Sequence, residues 1–514
     1  MSILMQNYRG RKKITIPVSV EKFNQNPVLW ILKYISSCVS DNNINTEEIE
    51  KLREIYTGHQ SIELKSRLDG GTENNNKIIA NHIWRQVEFK KGFMVGEPIS
   101  YSNATANLNT DDMTYLKKFL RDSNKASKDI TKYENLYIGG IAYTFTIPRQ
   151  DNFDVKNESP FILKNLKQGQ GFVVYSSDVL SEPLFNVVIS DNIELNGKTP
   201  QKVYDIFYIK QEDGYCYNFT LKQGSLALNS GFNSDYTYFG SPVETQQTYK
   251  FLPVTEFELN SSRMGIVELV IELQDTLNML KSKGVDNIVD FVDAYLVFEN
   301  QNFSSDKAKQ TYQDMKKQRV IALKTNNPQT PAKVSLLRNE LNIQNVTSIY
   351  DETKSEMYDI VGAPTPSGNV TSGGDTGEAR LLGNGWETAQ NQAKVDINYI
   401  CQFEYDLLKK MLYVCKTTIG NEIKEISASD IEIKYSLNMS NNLLIKAQSL
   451  KYLYDMNMAK EDALEMVNLT SDTHGVAVKW ESNDNQVKNR DLEIELQKQN
   501  NNNNNNEKQE QIIS

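Results

Sequence analysis

Histidine is nearly absent from this 514-residue chain, with three copies, and cysteine, with four, is little commoner. His59, His82 and His474 have no cysteine or second histidine at ligand spacing, and Cys38, Cys216, Cys401 and Cys415 form no C-x-x-C pair. Zinc-finger and dithiol-redox readings are thereby excluded, and reduced thiols in a cytoplasmic setting are the simplest use of the cysteines. No run approaches the roughly 18 consecutive apolar residues of a membrane-spanning helix, and the amino-terminal "MSILMQNYRGRKK" holds no apolar signal core. A basic excess is missing too: 56 Lys and Arg face 66 Asp and Glu, for a formal charge of −10. Tight binding of nucleic acid through its phosphates normally needs the opposite balance. The charge does not exclude a protein that lets DNA pass without gripping it.

Catalytic patterns are equally scarce. The glycine-rich "GGDTGEAR" (Gly373 to Arg380) has no Lys after its glycines and follows a helical pattern, so it is no P-loop. G-x-S-x-G is absent around Ser372. Glu97, Asp111 with Asp112, and Asp290 with Asp293 offer paired carboxylates without a companion Lys or His, and solvated helix faces are the simpler reading. No metal or cofactor is expected.

What is present is a folded composition, 39% hydrophobic with 26 Tyr and 19 Phe, long enough for two to four structural units. Apolar spacing predicts helices over Val28 to Ser40, Thr46 to Tyr56, Asn76 to Gly96 and Asp111 to Gly140. From Ala142 to about Phe257 the pattern shifts to short β-branched and aromatic runs, "AYTFTIP", "GFVVYSS", "FNVVIS", "VYDIFYIK", "YCYNFTL" and "TYKFLPV", which predict a mostly antiparallel β unit. Gly265 to Phe298 returns to helical spacing over on the order of 45 Å, with most acids off the apolar stripe. Two strand-like runs, "AYLVFEN" and "QRVIALK", follow. A second helix spans Asn339 to Gly362, and a third opens near Asp375, which with Glu378 forms a capping box, and runs past Val414. Gly383 and Gly385 predict a kink or break in its second turn. "IEIKYSL" is a strand, Asn441 to Met456 and Lys460 to Val467 are helices, and the tail with its asparagine run is expected to be disordered. Between the second and third helices lies the glycine-rich loop "GAPTPSGNVTSGGDTGEAR".

The stretch "NNKIIANHIWRQVEFKKGFMVGEPISYSN" resembles a segment of tailed-bacteriophage portal proteins through Asn76, Lys77, Ile78, Asn81, Gly96, Pro98, Ile99 and Tyr101. "IYTGHQSI" upstream, "YENLYIGGIAYTFTI" downstream and "LPVTEFELN" before the long helix are similar to the same family, and the order of elements agrees to about Ser471. The resemblance implies an α+β portal fold: long amphipathic stem and tunnel helices, an antiparallel β-rich wing and a small α/β clip. By it, residues 1–264 are wing, 265–290 the first stem helix and 291–337 clip. Residues 338–362 are the second stem helix, 363–376 the tunnel loop, 377–430 a long kinked wing helix, 431–480 crown and 481–514 the polar tail.

As the resemblance has it, the chain is a non-enzymatic subunit of a ring, typically twelve-fold, at one capsid vertex, assembled in the bacterial cytoplasm and kept in the virion. Double-stranded DNA passes through its centre during packaging and ejection. Its partners would be other copies of itself, the terminase large subunit as motor, head-completion adaptors, and major capsid and scaffold proteins. Thr365, Ser367, Asn369, Thr371, Ser372, Gly373, Gly374, Asp375 and Thr376 would line the constriction, and Glu268, Glu272, Asp275, Asp286 and Asp290 would make the stem acidic. Twelve helices abreast, each about 10 Å across, leave a bore of roughly 28 Å, against about 20 Å for duplex DNA. Carboxylates repel phosphate over ~8–10 Å, so such a bore would be slippery. An elongated coiled-coil scaffold that never touches DNA is the second reading, and a metal-dependent nuclease the third.

Overall fold

The computed structural model describes residues 10–65, 75–104, 110–192, 201–222, 242–292, 295–299, 310, 333–337, 343–365, 385–437, 443–456, 458–467, 476–490 and 493–494. After strand β1 (Thr15–Ile16) and the short helix α1 (Val20–Gln25) comes α2 (Pro27–Thr57), a single helix where the apolar spacing suggests two. Pro27 sits at its first position and Gly58, at φ 109, closes it. The asparagine-rich middle stays helical because Asn45 is buried and paired with backbone: its Oδ1 accepts from Lys12 N at 3.0 Å and its Nδ2 donates to Lys12 O at 2.8 Å. The reverse happens at Asp111 to Gly140, which divides into α4 (Thr110–Asp122) and α5 (Lys125–Gly139). Asn124 between them is left-handed, at φ 53.

Helix α3 is shorter than expected, His82–Val95. Residues 75–80 run extended instead, because the long helix α6 (Ile266–Val292) carries a polar ladder that satisfies them. Asn76 N donates to Asp286 Oδ1 (2.7 Å), Ile78 N to Ser282 Oγ (2.9 Å), Ala80 N to Asn278 Oδ1 (2.9 Å) and His82 N to Gln274 Oε1 (3.1 Å). From Asn76 to Ala80 every second residue meets every fourth residue of the helix, since two extended residues and four helical ones both advance about 6 Å, and a tight turn at Asn81 (φ −69, ψ 76) brings in His82. Nothing in the strap's own spacing announces this. The pattern lies in α6, 200 residues on.

The β region is built as expected, with one addition. β5 (Gly171–Ser176), β6 (Pro183–Asn192), β7 (Gln201–Ile209), β8 (Cys216–Lys222) and β9 (Thr245–Gln246) form an antiparallel run, and β1 joins its edge parallel to β5. β3 (Ile141–Pro148) pairs antiparallel with β4 (Phe161–Asn165) and with β10 (Val254–Glu258) in a second sheet. "TYKFLPV" is therefore mostly the approach to β10. "AYLVFEN" supplies β11 (Tyr295–Glu299), but its described partner is β12 (Lys333–Leu337), while "QRVIALK" falls outside the described residues. β2 (Ser100–Asn103) pairs with β13 (Ile431–Lys434).

α7 (Ile343–Val361) packs on α6, and α8 (Trp386–Thr417) crosses beside β10 and β3. α9 (Leu443–Asp455) and α10 (Lys460–Val467) follow, and residues 476–490 are helical, so helix extends into the segment read as tail. One core joins α3, α4, α5, α6, α7 and α8 around Leu116, Tyr133, Phe257, Leu277 and Leu407; a second seals the large sheet under α1 and α2. Two clusters of buried charge in these cores are internally paired. Lys125 and Lys132 meet Asp129 and Glu404, and Arg263 meets Glu256 and Glu258. Asp112, read from sequence as a solvated helix acid, is buried and accepts from the amides of Lys424, Glu425 and Ile426 at 3.2–3.4 Å.

Candidate functional site

The glycine-rich loop has a defined foot. Helix α7 ends at Gly362, whose φ of +66 places it in the left-handed region where glycine is favoured. Gly362 N donates to Asp359 O (3.0 Å) and Ala363 N to Tyr358 O (2.9 Å), which closes the helix, and Ala363 is buried. On the return side α8 opens after Gly385, also left-handed at φ 82. The helix begins there, so the glycines expected to kink it include its boundary, and the Asp375–Glu378 capping box falls outside the described residues. Trp386 anchors the return by packing edge-on against Phe89 (5.7 Å) and Phe93 (6.1 Å) of α3. A Cβ at Gly385 would lie 3.6 Å from Pro364 Cα. The chain thus leaves and re-enters at one point, beside the end of α7.

Beneath that point lies a cavity of about 310 Å³ whose lining includes Lys90, Asn260, Ile360, Gln392, Val395 and Asp396. Burial pushes Lys90 below the usual lysine range while Asp396 pulls it back. Burial also raises Asp396, opposed by Lys90 and by the 3.0 Å bond from Gln392 Nε2. A Cβ on Gly362 would stand 3.7 Å from Lys90 Nζ and 3.6 Å from Gln392 Cβ, so this left-handed glycine sits against the cavity's polar lining.

Of the residues expected in the loop, Thr365 is described and half-buried; Ser367, Asn369, Thr371, Ser372, Gly373, Gly374, Asp375 and Thr376 lie outside the described residues. The five stem acids do not behave as one group. Glu268 is buried: it accepts from Gly10 N (2.9 Å) and pairs with the fully buried Arg11 (3.1 Å). Asp286 is held by Lys65 and Asn76, and these donors, outweighing burial, keep its carboxyl below the usual range. Glu272 is exposed and Asp275 half-buried; the side chain of Asp290 is outside the description. Sequence reasoning missed four exposed acids on α7, Asp351, Glu352, Glu356 and Asp359. The missed signal was present, because these four fall off the apolar stripe of that helix.

His82 is half-buried, and its Nε2 lies 3.0 Å from Tyr350 Oη. Burial, then Lys354, Lys281 and Arg85, lower it to about 4. It ties the start of α3 to α7 and serves packing.

Two long helices packed together and joined to a β-rich body, with a glycine-rich loop rooted at one end, place this chain in the portal class of α+β subunits. Residues 35–490 match the family described as phage portal protein, SPP1 Gp6-like, and the chain belongs to that family. No curated protein matches it by sequence. Among solved structures it is similar to chains from the virion of a native gene transfer agent particle (10% identity, TM-score 0.37) and from the neck of that particle computed with C12 symmetry (9%, 0.38). Each comparison covers 75% of this chain and 89% of the other. A chain from the neck of the empty particle, computed with C6 symmetry, is similar at 10% identity and TM-score 0.38, covering 76% and 91%. These likenesses are distant, and the assignment rests on the family match.

Proposed function

We propose that this chain is one subunit of a ring, twelve-fold or close to it, set at a capsid vertex of a phage virion, through which double-stranded DNA is packaged and ejected. The observation that carries the reading is the loop foot: Pro364 and Gly385 adjoin where α7 ends and α8 begins, in a chain of the portal family. A loop tied at both ends to rigid helices can project from each copy to a common axis. Its glycines, hydroxyls and amides then meet the duplex without a fixed charge contact, and each copy adjusts separately to a DNA screw that does not match the ring. Glu272 and Asp275 on α6 keep the stem repulsive to phosphate.

In this reading the chain is a conduit and a platform, and ATP hydrolysis belongs to the terminase motor docked at residues 291–337. Adaptors, capsid and scaffold proteins contact the remaining surfaces. Thr371→Lys together with Ser372→Lys places a cationic ring at the constriction and is expected to slow or arrest packaging, measured as DNA length per capsid. Full-length filling at the wild-type rate would remove the loop from the channel.

A further inference from the structure

Around α7, six charges without an ion-pair partner among the described residues gather by sign on two flanks, while a seventh, the exposed Asp351, stands next to Tyr350, the neighbour of His82. Glu352, Glu356 and Asp359 recur three and four residues apart, share one helix face and are exposed. Ile349 and Ile360, 49% and 47% exposed, stand beside them. The other face of α7 packs inward through Met357, Tyr358 and Val361, and Met357 O accepts from Gln86 Nε2 of α3 at 3.1 Å. Helix α3 therefore lies on the side of α7 away from those carboxylates. There Trp84 is 50% exposed, and Arg85, Lys281 and Lys354 gather around His82 near enough to act on it electrostatically. None of these six charged residues has an ion-pair partner among the described residues.

We propose that the two flanks are the two halves of the seam between adjacent copies of this chain: the acidic α7 stripe of one copy packs on the basic flank around Trp84 of the next. This rests on the ring reading above. A head-to-tail contact uses two different patches on each copy and closes into a ring when the rotation closes. Three carboxylates facing three cations fix register and exclude the like-charged alternatives, and the exposed Trp84, Ile349 and Ile360 supply the apolar centre that such a contact needs. A second copy is the fitting occupant because one chain presents both halves, an acidic stripe and a basic flank. A water-filled bore would leave the two isoleucines exposed for no gain.

The test uses the full chain in two variants. Arg85→Glu with Lys281→Glu turns the basic flank acidic; Glu352→Lys with Glu356→Lys turns the acidic stripe basic. Each variant alone is expected to need about tenfold more protein for half-assembly, read by mass photometry at low salt. Mixed one to one, they are expected to recover wild-type assembly as alternating rings, which also shows that both fold. Rings from either variant at wild-type concentration, or no recovery on mixing, would overturn the seam and leave the ring reading standing. Normal assembly of the first variant with weakened duplex binding would make the flank a phosphate contact and likewise overturn the seam. A wild-type chain that forms no ring removes both.

Discussion

Glu404 shows how single residues are committed in this chain. It is fully buried between Lys125 and Lys132, which also hold Asp129. Burial alone would raise its pKa, but the two ammonium groups and their hydrogen bonds more than offset that, and the carboxyl stays below the ordinary glutamate range. The native chain therefore releases this proton more readily than the unfolded chain. The stabilisation is complete above the unfolded pKa of ~4.3 and is lost as pH falls through the lower folded value. Glu404→Gln is expected to cost about 3–5 kcal/mol at neutral pH, because the lysines keep their charge and lose a partner. Its melting temperature should also fall less than that of the wild type between pH 6 and pH 3; parallel pH profiles in calorimetry would count against this account. Sequence could not show the cluster, since Lys125 and Glu404 are 279 positions apart.

At the scale of elements, the strap over α6 is the least legible feature and the most regular. Asn76, Ile78, Ala80 and His82 read as helix by apolar spacing, yet Gln274, Asn278, Ser282 and Asp286 supply acceptors at a pitch that only an extended chain can use. Asn278→Leu leaves Ala80 N without its acceptor and Gln60 without a donor. A loss of about 1–3 kcal/mol is expected. Amide exchange at Ile78, Ala80 and His82 should accelerate more than at the α3 core position Val87. Uniform acceleration across α3 would show that the ladder is not what holds the strap. The strands were more legible than the strap because alternation is local, whereas the pairing of β11 with β12 was not read from sequence because pairing is not local.

At the scale of the whole molecule, the proposed closed assembly gives a use to two long helices, a loop closed at its foot and the acidic and basic flanks around α7. Class averages of purified protein are expected to show radially symmetric rings with a central opening near 28 Å, the width that about twelve helices abreast would leave. Rods would favour the coiled-coil scaffold, and compact single particles under all assembly conditions would remove the conduit.

By itself the sequence determined the class of the fold, the helical and β regions, the long helix near 266–292, the place of the glycine-rich loop and the family resemblance, because periodicity and turn chemistry are local properties. Tertiary structure alone decided that Glu268 and Asp286 are neutralised inside the subunit, that Asp112 is buried, that residues 75–80 are extended, and that the loop's two ends share one foot. The reason is physical: a polar group acts through whatever lies within hydrogen-bond reach, and in this chain those neighbours come from as far as 334 positions away.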